Sequence, residues 1–497
     1  MTGFVNVTGA DVAAVAPELV LVGAGTLLVL LDAFARPLRP WFPYLALGAT
    51  VLAAAVGPSE AGVFFSGALE VSTLTRYVEL LTAAALLLAV LGGAGLLRRD
   101  GRDQGEFYAL LLWSASGLLL MVKGSDLLIV FIGLELMSLS LYVLAAWYRT
   151  IPAAAEAGMK YFLMGSLASA FLLYGIAVVY GRLGTTRLDR IASLARPGSA
   201  TAGAAGTSPI PFDVVLSIGI LGVIVALGFK IALVPFHSWA PDVYQGMTTP
   251  AVAFLSTAPK AGAAIVLVRF LHALFPLGLG APWRPVLAIL AVLSILFGNV
   301  VALAQRDVKR ILAYSGIAQM GYLAIGLATF TDDAIEAVLV FAGAYVVTNA
   351  AAFLAAGALS AGEKEPHALG DLAGRGRERP LAATVLSLAM ISLTGVPPTV
   401  GFLGKLLVFR AAVDAGMVPL ALVGVFGSIV SVGYYLRVVY FLWMKEPASD
   451  APEAVPEDFL SGVAFLSAAF VMVLVGIFPR ALLELARGAA GVLSSSR

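Results

Sequence analysis

The sequence predicts an all-α integral membrane protein with about fourteen transmembrane helices. Three observations predict it. Of the 497 residues, 60% are hydrophobic and only 12% charged, against about 25% charged in soluble domains. A chain so short of charge cannot cover its own surface in water, so lipid covers it. The apolar residues also fall into runs near the length of about 20 residues that crosses a bilayer. Finally, the few charges inside those runs are isolated, while the rest collect between them.

Spans are expected near 15–34, 41–57, 77–97, 107–122, 126–148, 156–180, 213–236, 250–273, 285–304, 310–330, 335–359, 380–413, 418–444 and 459–479. The first has Glu18 and no basic residue before its apolar run, so it reads as a membrane helix and not a signal peptide. The second is short. The seventh is interrupted near Val234-Pro235, and the long twelfth at Gly395-Val396-Pro397-Pro398. Proline removes a backbone donor and clashes with the carbonyl four residues back. In lipid the freed groups need partners, so such breaks belong where protein or water surrounds them. Small residues crowd 166–169 and 424–431, as close helix packing requires.

Between the spans, 182–211 is a Gly/Ala/Ser/Pro stretch expected to be mobile, 363–380 carries Lys364, Arg375, Arg377 and Arg379, and 445–458 is acidic. Fourteen spans put the clusters Arg98-Arg99-Arg102 and Arg306-Lys309-Arg310, with Arg149, on one side. The positive-inside rule makes that side cytoplasmic and both termini external; the basic residues of 182–196 run against it. Spans four to eight and nine to thirteen form a weak repeat, each with a Pro-broken fourth member and a lysine near the break, Lys230 or Lys405. Five helices is an odd number, so the second copy is inverted. The expected units are 1–106 (helices one to three), 107–273 (first repeat), 285–444 (second repeat) and 445–497 (helix fourteen and tail).

Net charge is +1, which points to no nucleic acid or acidic partner. With no cysteine, disulfides, Fe–S clusters and Cys-ligated zinc are excluded. His237, His272 and His367 are too scattered for a metal site.

The charges inside the membrane carry the chemistry. Glu135 lies mid-run in Ile129–Met137 with no neighbouring counter-charge. A charge there costs about 2.5–3.5 kcal/mol on insertion scales. Lys230 precedes the Val234-Pro235 break, Lys260 follows Pro259, and Lys405 follows Pro397-Pro398. A lysine in low dielectric that gains or loses a carboxylate neighbour can switch protonation, as a proton carrier must. His237 lies about two helical turns from Lys230 and is placed to bridge Lys230 and Lys260 through water. Lys160, early in span six, is a further relay candidate. The plain alternatives are snorkelling lysines, a helix–helix contact at Glu135 and a histidine capping freed carbonyls. His272, Asp126, Arg269 and Arg437 lie near helix ends and read as structural.

Together these residues resemble a known family. Gly133-Leu134-Glu135-Leu136 is similar to the Glu motif of the antiporter-like membrane subunits of respiratory complex I. So are Gly228-Phe229-Lys230, Pro235-Phe236-His237, Trp239, Pro241-Asp242, Tyr244, Thr249-Pro250 and Pro259-Lys260. Gln305-Arg306-Asp307-Val308-Lys309-Arg310 resembles the start of the tenth helix, and Pro397-Pro398, Gly401-Phe402 and Lys405 the broken twelfth. Membrane subunits of multisubunit cation/proton antiporters share this motif. Lys405, where the type called M has Glu, and the absence of the type L extension fit type N. Gln319 departs from the pattern, because relatives often have His there; the central path would then use water or Gln319 itself.

The resemblance implies a proton-translocating, non-redox subunit of NADH:quinone oxidoreductase in the bacterial inner membrane, beside M-like and K-like subunits and lipid. It implies a relay of Glu135, Lys160, Lys230, His237, Lys260 and Lys405, with NADH, FMN, Fe–S clusters and quinone bound by other subunits and no cofactor in this chain. The rival readings are a cation/proton antiporter subunit, a structural scaffold, and a plastoquinone- or ferredoxin-linked relative.

Overall fold

A computed structural model describes residues 7–57, 61–195, 213–275, 283–359, 368–447 and 458–495. His367, Lys364, and the loop stretches 196–212 and 448–457 lie outside the described residues. The described chain is helical but for one short hairpin. The helices are α1 (Gly9–Ala14), α2 (Ala16–Phe34), α3 (Phe42–Val56), α4 (Thr73–Arg99), α5 (Gly105–Lys123), α6 (Leu127–Ala145), α7 (Pro152–Leu183), α8 (Leu188–Ala195), α9 (Val214–Ile231), α10 (Trp239–Gly246) and α11 (Thr249–Leu255). They continue with α12 (Ala258–Leu274), α13 (Trp283–Ala304), α14 (Val308–Thr329), α15 (Asp332–Ala358), α16 (Arg375–Glu378), α17 (Pro380–Thr394), α18 (Val400–Asp414), α19 (Val418–Trp443), α20 (Phe459–Ile477) and α21 (Arg480–Ser495). Strands β1 (Gly62–Phe64) and β2 (Leu69–Val71) pair antiparallel, with Val63 opposite Glu70.

Among the described residues, 12 helical segments are long and apolar enough to cross a membrane, with α11 and α12 taken as one. The two remaining expected segments are shorter: α3 has 15 residues, and the twelfth is split into α17 and α18 of 15 residues each. Local chemistry sets the starts. Asp126, Asp213, Asp307 and Thr331 cap α6, α9, α14 and α15 by accepting a hydrogen bond from a first-turn amide. Ser72 and Thr75 cap α4 reciprocally.

The three interior ends position the site. Helix α9 stops where Ala232 takes the left-handed conformation (φ 60°), just before the cis Val234-Pro235 bond. Helix α17 stops at Gly395 (φ 91°), just before the cis Pro397-Pro398 bond. Glycine adopts this conformation freely; an alanine there is held by its surroundings. The eighth segment does not run unbroken over 250–273 as its apolar pattern predicts. It parts at Ser256-Thr257, where Thr257 leaves helical geometry (φ −120°, ψ −91°). Pro259 sits in the first turn of α12, where its missing amide donor does no harm, and so marks a new helix. The tail after the last span is helical as well. Helix α21 packs on α4 and α15, with Thr73 donating to the Gly488 carbonyl at 2.8 Å and Arg487 paired with Glu336 at 3.2 Å.

Burial divides the bundle. Helices α11, α12, α14 and α15 are enclosed along almost their whole length, whereas α2, α7, α13, α19 and α20 keep broad apolar faces outward. Where lipid surrounds those faces the backbone is already satisfied within each helix. The enclosed four form the axis against which both broken helices sit.

Candidate functional site

Glu135 is half-buried on α6 and accepts a short hydrogen bond from the Ser169 hydroxyl of α7. Lys230, at the last turn of α9, is 3% exposed. Its Nζ donates to the Ser138 hydroxyl at 2.8 Å and to the Tyr161 hydroxyl at 3.1 Å. Glu135 and Lys230 are therefore not a contact ion pair. Lys230 lines a small crevice together with Ser138 and with Ser169, the hydroxyl that donates to Glu135. A charge shift at Glu135 is felt by Lys230 through low-dielectric protein, where attraction is poorly screened.

The link from Lys230 to Lys260 is aromatic. The Tyr161 ring stacks on Trp239 (centroids 4.7 Å apart), and Trp239 meets Tyr244 edge-on at 5.9 Å. Trp239 Nε1 donates to the Phe229 carbonyl at 3.0 Å, in the last turn of α9. Lys260 Nζ lies 5.4 Å from the Tyr244 ring centroid, within cation–π range. Lys260 is 0% exposed, and its Nζ has no hydrogen-bond partner among the described residues.

His237 does not continue the Lys230 face. Two turns of helix would separate the two residues if α9 ran on, but it ends at Ile231 and His237 falls in the break. There it lies edge-on to Phe297 of α13 at 4.6 Å, half-buried, and hydrogen-bonds to neither lysine. Lys160 is also apart. It is 40% exposed by side chain and paired with Glu156 and Asp242, each at 2.6 Å. Asp242 in turn holds Arg310 of α14 at 2.7 Å, so Lys160 belongs to a polar cluster where α7, α10 and α14 meet.

Lys405, 4% exposed on α18, uses the second break. Its Nζ donates to the Leu393 carbonyl (2.8 Å), the Thr394 carbonyl (3.0 Å) and the Ser428 hydroxyl (2.8 Å), and lies 4.5 Å from the Tyr322 ring centroid. Gln319 shares the Leu393 carbonyl at 2.8 Å and donates to the Tyr435 hydroxyl at 3.1 Å. Lys230, Lys260 and Lys405 form no ion pair with any described residue.

Sequence reading passed over one buried ionic cluster. Lys123, at the end of α5, holds Glu18 of α2 and Glu79 of α4 at 2.8 Å each, and Glu79 also takes Arg76 at 2.7 Å. The only signal was Glu18 before the first run. Of the residues read as structural, His272 is buried in the last turn of α12. Asp126 is a cap, Arg269 pairs with Glu70 at 2.8 Å, and Arg437 donates to the Leu303 carbonyl at 2.8 Å. Among the described residues no group of three or more metal-binding side chains converges.

Residues 124–431 match the family described as NADH:quinone oxidoreductase/Mrp antiporter, TM. The chain is 37% identical, over 86% of each sequence, to NADH-quinone oxidoreductase subunit N of Parvibaculum lavamentivorans. Among solved structures, a chain of respiratory complex I from Thermus thermophilus with bound aureothin is 33% identical, with a TM-score of 0.77 over 95% of this chain and 99% of that one. A chain of the Mrp complex from Dietzia sp. superposes with a TM-score of 0.83 over 98% of both at 22% identity, which speaks to the fold alone. The family match spans the helices that hold Glu135, Lys230, Lys260 and Lys405, and the identity extends along nearly the whole chain: it belongs to the NADH:quinone oxidoreductase/Mrp antiporter family of membrane subunits.

Proposed function

We propose that this chain is a proton-translocating, non-redox subunit of an NADH:quinone oxidoreductase of the bacterial inner membrane, and that Glu135, Lys230, Lys260 and Lys405 are its proton relay. One observation carries the reading. Three enclosed lysines, each beside a helix break, have hydroxyl, carbonyl or aromatic neighbours and no described carboxylate in contact. An ammonium so placed lacks the compensation a structural ion pair provides, so a scaffold would gain nothing by keeping it. A lysine without a fixed counter-ion changes protonation readily.

In this reading a charge change in a neighbouring subunit acts on Glu135, Lys230 loses support, and its proton moves through Lys260 to Lys405 and the outer side. Each step moves charge against the membrane potential, about 2.3 kcal/mol per 100 mV. The M-like and K-like subunits are the expected neighbours, and flavin, Fe–S and quinone chemistry lies outside this chain, which has no cysteine. The regions 107–273 and 285–444 act as two inverted half-channels. Lys160, with Asp242 and Arg310, guards the polar end of the first. His237 acts only if water bridges it to the lysines.

The test is Lys230→Ala in the intact complex. NADH-driven acridine quench of inverted vesicles should fall with the oxidation rate while a native gel shows normal assembly. Wild-type quench sinks the reading. The antiporter alternative makes its own forecast: the chain reconstituted singly would exchange protons for sodium down a gradient, and Lys230→Ala would abolish it.

A further inference from the structure

Resting on that relay, we infer that protons pass from Lys260 to Lys405 through a water seat at Gly316 and the hydroxyl of Tyr345, which makes Gly316 and Tyr345 positioning residues of the path.

The inference starts from two buried polar atoms. Lys260 Nζ and the Tyr345 hydroxyl are both enclosed, and neither has a hydrogen-bond partner among the described residues. Buried polar groups are almost always satisfied, by protein or by ordered water. Gly316 of α14 supplies the common point. A Cβ placed on Gly316 would lie 3.0 Å from the Tyr345 hydroxyl oxygen and 3.4 Å from Lys260 Nζ. Both atoms thus converge on the bare face of α14 at Gly316, and one water lying against that face, in van der Waals contact with the Cα, would reach both. Glycine in a helix interior is weaker than alanine, and Gly316 has ordinary helical geometry inside α14, so backbone conformation does not explain the choice. Space beside Lys260 does.

The far side of Tyr345 continues the route. A small cavity is lined by Tyr345, Gln319, Thr348, Ser392 and Leu393. Thr348 and Ser392 approach to 3.4 Å, and the Leu393 carbonyl accepts from both Gln319 and Lys405 at 2.8 Å. Tyr345 thus has its hydroxyl near Lys260 and lines the cavity whose Leu393 carbonyl Lys405 holds. The transfer balances without any net change at tyrosine. The Lys260 ammonium gives a proton to the seated water, which passes one to the tyrosine oxygen as that hydroxyl releases its own into the cavity. Neutral Lys405 takes up the last. Gln319 lines the same cavity and, by donating to the Leu393 carbonyl, fixes both the wall and that carbonyl.

The experiment uses the whole complex in inverted membranes, with turnover normalised to assembled complex on a native gel. Tyr345→Phe removes one oxygen and leaves the packing. Gly316→Ala sets a methyl against both polar atoms, and Gly316→Ser sets a hydroxyl there instead. Expected is a fall of about a hundredfold in coupled NADH oxidation and acridine quench for Tyr345→Phe and Gly316→Ala, the low end of what a lost proton-transfer group gives. A larger solvent deuterium isotope effect should accompany it, and Gly316→Ser should retain more activity than Gly316→Ala. A role in packing alone would not move the isotope effect. Wild-type turnover and isotope effect in Tyr345→Phe, with Lys260→Met and Lys405→Met still impaired, would overturn the route and leave the relay standing. Wild-type pumping in Lys260→Met and Lys405→Met as well would remove the relay itself.

Discussion

At the scale of single residues, chemistry separates a charge that must move from one that only sits. Lys405 is held by two carbonyls and a hydroxyl, and an arginine could satisfy all three. What arginine cannot do is deprotonate. Lys405→Arg should therefore harm pumping nearly as much as Lys405→Ala, each by about tenfold or more if proton transfer is the lost step. The quench and oxidation rates of the same vesicles decide it, and wild-type values for the Arg variant would show that Lys405 keeps its proton. Glu135→Gln keeps the shape and the Ser169 bond but removes the charge that Lys230 feels. Turnover should drop several-fold with assembly intact, and normal turnover would break the link between the two. These charged positions were legible in the sequence because an isolated ionisable residue in an apolar run is conspicuous. Their immediate partners were not. Ser138, Ser169, Tyr161 and Tyr345 are ordinary residues until tertiary structure brings them to a lysine or a carboxylate.

At the scale of the element, the apolar runs gave the helices and the prolines gave two of the three breaks. The third, at Ser256-Thr257, escaped because the hydrophobic pattern crosses it without interruption and Pro259 could equally open a helix or interrupt one. The spacing of His237 from Lys230 misled for the related reason that a helical face exists only while the helix lasts. Close packing between α5 and α6 offers a further check at this scale. A Cβ on Gly133, two residues before Glu135, would lie 2.3 Å from the Met121 backbone nitrogen. Backbone cannot yield as a side chain can. The gain in helix propensity from Gly133→Ala, about 1 kcal/mol, should lose to an overpacking penalty of about 1–3 kcal/mol. Gly23→Ala in α2, where nothing lies within 4 Å, should be harmless. Heating detergent-extracted complex and following its native band would rank the two; equal loss would discredit the contact.

For the molecule as a whole, the question is what binds the N-terminal helices to the axis that carries the relay. Lipid offers little hydrophobic drive between helices, so packing and polar contacts do the work. Lys123 joins α2, α4 and α5 through Glu18 and Glu79, partners far away in sequence, 105 residues in the case of Glu18. Sequence alone could not pair them. Their side chains are 1%, 8% and 4% exposed, so removing one member strands another. In Lys123→Met, Glu79 keeps Arg76, but Glu18 loses its only ion-pair partner among the described residues. Breaking a buried pair in this way costs about 3–5 kcal/mol, whereas replacing both members with neutral groups of similar size is often nearly neutral. The expected outcome is a marked fall in assembled complex for Lys123→Met, with substantial recovery when Glu18→Gln is added, and wild-type turnover per assembled complex in the double variant. A double-mutant cycle on thermal stability measures the coupling directly. Additive losses would mean that the two residues do not act as a pair. Lost turnover in a fully assembled double variant would mean instead that the cluster conducts protons, and that the relay extends into α2, α4 and α5.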